Sequence, residues 1–141
     1  MRDIKFRVWD KDRKRMHIVG EFHHDSLSID EDNNIYYLNL QCMEASPHKG
    51  IDPEHCAYRL MRYTGLKDKN GKEIYEGDIL LYDSGSKTSV FYNNGAFVRS
   101  YGNSNMYLLY DSFIEDGCLY NYEVIGNIYK NPGLLEGKNN D

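Results

Sequence analysis

From Ile4 to Tyr129 the chain is a succession of short apolar segments, each soon stopped by a turn signal, and this punctuation limits it to short strands joined by tight connections. Ile4, Phe6 and Val8 alternate with Lys5, Arg7 and Trp9, the period of a half-buried strand. After the polar stretch Asp10–Arg15, Met16–Val19 resumes the extended pattern, so the simplest local reading is a hairpin with a basic loop. Ser26–Ile29 and Ile35–Leu38 flank the turn-rich Asp30–Asn34 in the same way. Residues 39–57 are less regular. Asp52-Pro53-Glu54 there combines an N-cap, a first-position Pro and a first-turn carboxylate, which predicts a short helix.

The pattern strengthens at Tyr58. Arg59–Thr64 reads as a strand leading to Asn70-Gly71, the strongest short turn signal in the chain, and Glu76-Gly77-Asp78 makes a second turn before Ile79–Tyr82. In that second turn Gly supplies a φ that other residues resist, and Asp caps the backbone. Ser89–Tyr92, Asn93-Asn94-Gly95 and Ala96–Arg99 form another strand, turn, strand unit, and Met106–Tyr110 and Tyr122–Tyr129 are the last apolar segments. The aromatic inventory agrees, with 13 Tyr against 5 Phe and 1 Trp, because tyrosine favours strands. Strands this short at this spacing suggest a small antiparallel barrel or sandwich.

The formal charge of −5 argues against a protein that wraps nucleic acid through overall positive charge. The charge is unevenly placed: residues 1–20 carry seven Lys/Arg against three Asp, a net of +4, whereas residues 21–57 carry one Lys against eight carboxylates, a net of −7. A local basic patch is therefore compatible with the sequence. No apolar run much exceeds five residues, against the ~20 that a membrane span requires. The first residues are charged where a signal peptide is apolar. Cys42, Cys56 and Cys118 are an odd number without the spacing of a disulfide framework. Together these features predict a soluble, cytoplasmic protein.

Three stretches carry a family resemblance: Ile4–Asp10, the run Tyr63-Thr64-Gly65-Leu66-Lys67-Asp68-Lys69-Asn70-Gly71-Lys72-Glu73-Ile74-Tyr75-Glu76-Gly77-Asp78-Ile79, and Glu123–Pro132. In content and order they resemble the YopX family of small phage and prophage proteins, over nearly the whole chain. The resemblance implies a mostly-β protein of a bacteriophage or prophage, working in the bacterial host cell, with an N-terminal α+β lobe and a C-terminal SH3-like barrel. It brings no activity with it, since the motif residues are turn and strand residues and not a catalytic set. Gly133 departs from the commoner acidic residue at that position. The expected organisation is an N-terminal lobe over residues 1–57 with hairpins and a short helix, a small antiparallel barrel over 58–133, and a fraying tail over 134–141.

Candidate constellations weigh toward structure. Asp68, Asn70, Glu73, Glu76 and Asp78 gather carboxylates, but Lys72 and Glu73 stand where a calcium loop needs a ligand and a glycine. Asp30–Asn34 fails similarly, with Ile35 at the glycine position. Cys42, His48, His55 and Cys56 lack the paired spacing of zinc ligands. His23, His24 and Asp25 have the residue types of a hydrolytic triad without the nucleophile elbow, and phosphate-binding glycine motifs are absent. The expectation is no catalytic site, no metal and no cofactor, and a binding module for a protein partner or a second copy. Its surface is placed at Tyr63, Tyr75, Tyr82 and Tyr92, and secondarily at the hairpin residues Arg7, Trp9 and Arg13. Nucleic-acid binding by that hairpin, with Trp9 stacking on a base, is the alternative, and a small hydrolase using His23, His24 and Asp25 a second one.

Overall fold

The computed structural model describes residues 4–20, 25–29, 31–32, 35–39, 44–46, 58–93, 95–101, 105–111, 114–115 and 117–136. The chain divides into two compact units, Lys5–Arg62, and Tyr63–Asp141 together with Met1–Ile4. The helix start expected at Asp52-Pro53-Glu54 lies outside the described residues.

In the first unit β1 (Phe6–Asp10) pairs antiparallel with β2 (Arg15–Ile18) on one edge and with Tyr58–Arg62 of β6 (Tyr58–Lys67) on the other. A central strand is covered on both faces more readily than an edge strand, and here Val8, Trp9 and Asp10 are all buried. The expected alternation of a half-buried strand therefore gives way at its C-terminal end. A second sheet runs in the order β3 (Asp25–Ile29), β4 (Ile35–Asn39), β5 (Glu44–Ser46). Val8, Tyr37 and Tyr58 form a core, with Val19, Leu27 and Leu60 packed on it.

In the second unit, Tyr63–Lys67 of β6 turns back into β7 (Glu73–Tyr75), and Tyr63 opposes Tyr75. The turn runs over Asp68–Lys72; Gly71 alone of the Asn70-Gly71 pair has positive φ. Gly77 also has positive φ, as its turn required. The main sheet is antiparallel in the order β11 (Asn105–Leu108), β10 (Ala96–Tyr101), β9 (Lys87–Asn93), β8 (Asp78–Tyr82), β14 (Tyr122–Asn127). Short strands β12 (Ile114–Glu115) and β13 (Cys118–Leu119) pair with each other, and β13 with β6 at Lys67. Leu66, Ile74, Leu80, Val90, Phe97, Leu109, Leu119, Tyr122 and Val124 fill the core.

This sheet is open. Closure into an SH3-like barrel would bring the outer edges of β11 and β14 together, but the Asp68–Lys69 turn occupies that of β14. Lys69 N donates to Tyr122 O at 2.9 Å, and Val124 N donates to Asp68 Oδ2 at 2.9 Å. The expectation of a closed small barrel is thus corrected to open sheets.

Beyond β14 the chain forms a single helical turn, α1 (Gly133–Glu136), where the sequence suggested fraying from Leu134 onward. Leu134 packs against Gly126, beside the irregularity in the β8–β14 register. Among the described residues no helix is long and apolar enough to cross a membrane.

Candidate functional site

The basic hairpin is organised from within. Asp10 is fully buried at the end of β1, and its Oδ1 accepts the backbone N–H groups of Asp12 (3.1 Å) and Arg13 (3.0 Å). Its Oδ2 accepts the Arg13 guanidinium at 2.9 Å, and the same Nη1 reaches Tyr58 Oη at 3.4 Å. Arg13 is therefore committed to the fold that positions it. Arg7 is half-buried, with Nη2 3.4 Å from Met61 Sδ, and Trp9 is only 6% exposed, so its ring is not offered to a base. Lys11, Lys14 and Arg15 remain on the surface.

The four candidate tyrosines divide in two. Tyr63 and Tyr75 are buried, their ring centroids 5.3 Å apart, and Tyr75 Oη donates to Glu73 Oε1 at 3.1 Å. Placed on the surface by the sequence reading, they lie inside the unit because they oppose each other across the β6–β7 pair that packs the core. Tyr82 and Tyr92 are exposed, Tyr82 against Tyr122 and Tyr92 edge-on to Phe97.

The carboxylates of the long motif are structural pins. Asp68 Oδ1 accepts the N–H groups of Asn70 (2.8 Å) and Lys72 (2.9 Å), while Oδ2 takes Val124 N. Asp78 Oδ2 accepts Tyr75 N at 2.8 Å and Oδ1 accepts Asn127 Nδ2 at 3.1 Å. Both side chains are buried, so each carboxylate oxygen needs the donor it bonds. These contacts tie the long motif to the C-terminal one, and Ile128 N adds a bond to Gly77 O at 2.8 Å. Among the described residues no three His, Cys, Asp or Glu side chains gather to hold a metal ion. Cys42, His48, His55, Cys56, His23 and His24 lie outside the described residues, as does the Asp25 side chain.

A different surface emerges at the β11 side of the main sheet. Directly opposed residues on antiparallel strands project from the same face. Phe91, Val98 and Leu108 therefore form one row, and Ser89, Ser100 and Met106 the next. Val90 and Phe97, on the other face, belong to the core; on the face of these two rows Val98 and Ser89 are themselves buried, and only the outer members are open. Phe91 is 38%, Leu108 46% and Met106 50% exposed, and Asn93 Nδ2 lies 3.6 Å from Met106 Sδ. On the opposite face the Arg99 guanidinium sits 5.3 Å from the centre of the Tyr107 ring, and Arg99 Nη1 donates to Leu108 O at 2.6 Å. Tyr110 continues the exposed series, its Oη donating to Thr64 O at 2.5 Å.

β11 ends the strand order, and no described strand pairs with its outer edge. Edges of this kind are usually blunted by Lys, Pro or a bulge, yet β11 reads Asn-Met-Tyr-Leu. The whole stretch from Thr88 to Tyr110 holds a single charged residue, Arg99, in a chain that is 28% charged. That gap in charge is the signal by which the sequence could have pointed to Phe91, Met106 and Leu108. Tyrosine content alone led to Tyr63 and Tyr75 instead.

Open antiparallel sheets and a motif held by buried carboxylates describe a mostly-β protein with an exposed, uncharged sheet edge among its described residues. The YopX protein family matches residues 5–136, and the chain belongs to that family. The crystal structure of protein EF1440 from Enterococcus faecalis is similar, at 30% identity and a TM-score of 0.64, covering 96% of this chain and 99% of that one. The yopX protein from Bacillus subtilis shares the fold at 24% identity and a TM-score of 0.60, covering 99% of this chain and 100% of its own. No curated protein matches the chain.

Proposed function

We propose that the chain is a non-catalytic binding module, encoded by a phage or prophage and working in the cytoplasm of its bacterial host, that takes a protein partner by strand addition at β11. The carrying observation is the exposed, uncharged edge strand Asn105–Leu108, with Phe91, Met106 and Leu108 beside it on the outer face. In strand addition, main-chain hydrogen bonds supply affinity while pockets between alternate side chains select the sequence. Tyr107, on β11 itself and half exposed on the other face, adds area at low entropic cost. Affinity capture from host cells with the tagged chain tests the reading. A protein recovered by the native chain and lost with Met106→Lys, at an unchanged unfolding midpoint, supports it; equal recovery by both refutes it.

Nucleic-acid binding by the basic hairpin is the weaker reading, because Trp9 is buried and Arg13 is bonded to Asp10. A labelled oligonucleotide whose anisotropy does not rise at low salt would dispose of it.

A further inference from the structure

We propose that the tip of the basic hairpin docks an acidic segment of a protein partner, a short run of Asp and Glu side chains, with Lys14 as one of its contacts. The loop Lys11–Lys14 joins the paired residues Asp10 and Arg15. Among the described residues Lys14 is the one non-glycine with positive φ, at +55°. In that region the side chain crowds the backbone, so Gly or Asn would fill the position at lower cost. Nothing in the fold asks for lysine there, because the residue is exposed and its side chain makes no ion pair among the described residues. Strain held at an exposed cation points to a contact outside the chain.

The tip is built to hold such a contact in place. Asp10 fixes the loop through the N–H groups of Asp12 and Arg13 and holds the Arg13 guanidinium. Lys11, Arg13, Lys14 and Arg15 are all exposed, against Asp12 as the exposed carboxylate among them. Cations on a pinned backbone lose less freedom on binding than cations on a mobile one. Two observations favour carboxylates over phosphates as the anion. Trp9, whose ring would stack on a base, is only 6% exposed. Nucleic acid also presents charge along its whole length, and a chain of net charge −5, with −7 over residues 21–57, repels it beyond the hairpin, whereas a short acidic segment meets the tip alone.

Fluorescence anisotropy with a labelled oligoglutamate peptide at low salt tests the proposal, beside a labelled DNA duplex and urea unfolding of each variant. The native chain should bind the peptide in spite of its own negative charge, and release it as salt rises. Lys14→Gly should weaken binding about threefold, the worth of one exposed ion pair, while raising the urea midpoint, since glycine adopts positive φ without strain. Adding Lys11→Ser should bring the loss to roughly tenfold. Lys14→Arg should keep both the native affinity and the native midpoint. A folded chain that does not bind the peptide, or that binds it equally well as Lys14→Gly, overturns the proposal, as does a Lys14→Gly midpoint no higher than the native one. A duplex bound more tightly than the peptide assigns the tip to nucleic acid, and salt-sensitive self-association without peptide assigns it to a second copy; either overturns the acidic partner. None of these outcomes bears on capture through Met106, which reads β11.

Discussion

Replacing Asp68 should be among the most damaging single changes in the second unit, although the residue has the look of a turn carboxylate. The side chain is 1% exposed and accepts three backbone N–H groups, two from its own turn and one from Val124, 56 positions away. In Asp68→Ala the donors on Asn70 and Lys72 belong to exposed residues and can turn to water, so each costs the lower end of a charged hydrogen bond, about 1.5 kcal/mol. Val124 is buried, and its orphaned N–H costs about 1–3 kcal/mol. Together the loss is roughly 4–6 kcal/mol, a large share of the ~5–15 kcal/mol that holds a domain folded. Asp68→Asn separates geometry from chemistry. Its single carbonyl oxygen can serve the turn or Val124 but not both, and its amide then faces another donor, so about half the loss or more should remain. Urea unfolding followed by circular dichroism reads both variants. With a slope of about 1.5 kcal/mol per molar, Asp68→Ala should move the midpoint down by roughly 3 M. A shift below about 0.5 M, or Asp68→Asn unfolding with the native chain, would refute the claim that this carboxylate joins the two motifs. Asp83→Ala, which removes an exposed ion pair with Lys69, is the matched control and should cost no more than ~1 kcal/mol.

Gly126→Ala should destabilise by about 1–3 kcal/mol, because an added methyl group meets the Leu134 side chain and Asn131 Oδ1, the latter at 2.8 Å. A melting temperature equal to the native one would show that α1 gives way at no cost. The tyrosines should also separate in the same melting assay. Tyr75→Ala empties a buried site and should cost about 3–5 kcal/mol, whereas Tyr92→Ala, at an exposed position, should stay within ~1 kcal/mol of native. Equal effects would contradict the burial on which the binding surface was assigned.

Local chemistry made much of the fold legible. Period-two alternation and turn residues located β1, β2, β3, β4, β6, β8, β9, β10, β11 and β14 to within a few residues. The Glu76-Gly77-Asp78 turn formed as its residue types required, with positive φ at Gly77 and the Asp78 carboxylate on Tyr75 N. The strands β5, β7, β12 and β13 were not legible, since at two or three residues they carry no periodicity and exist only because a neighbour pairs with them. Trp9 and Val8, which alternation assigns to opposite faces, are both buried: alternation describes one strand and cannot tell that both of its faces are covered.

What the sequence determined by itself is therefore the class of object: short strands, their approximate limits, the turns between them, and the family. Each of these depends on residues a few positions apart, which a linear pattern records. Only the tertiary structure decided which side chains meet across the chain. It placed Asp68 on Val124, leaving β14 no edge with which to close a barrel, and put Tyr63 and Tyr75 inside while Met106 and Leu108 stayed outside. Burial is a property of what packs above a residue. An uncharged stretch therefore becomes a candidate surface only once the fold leaves its edge uncovered.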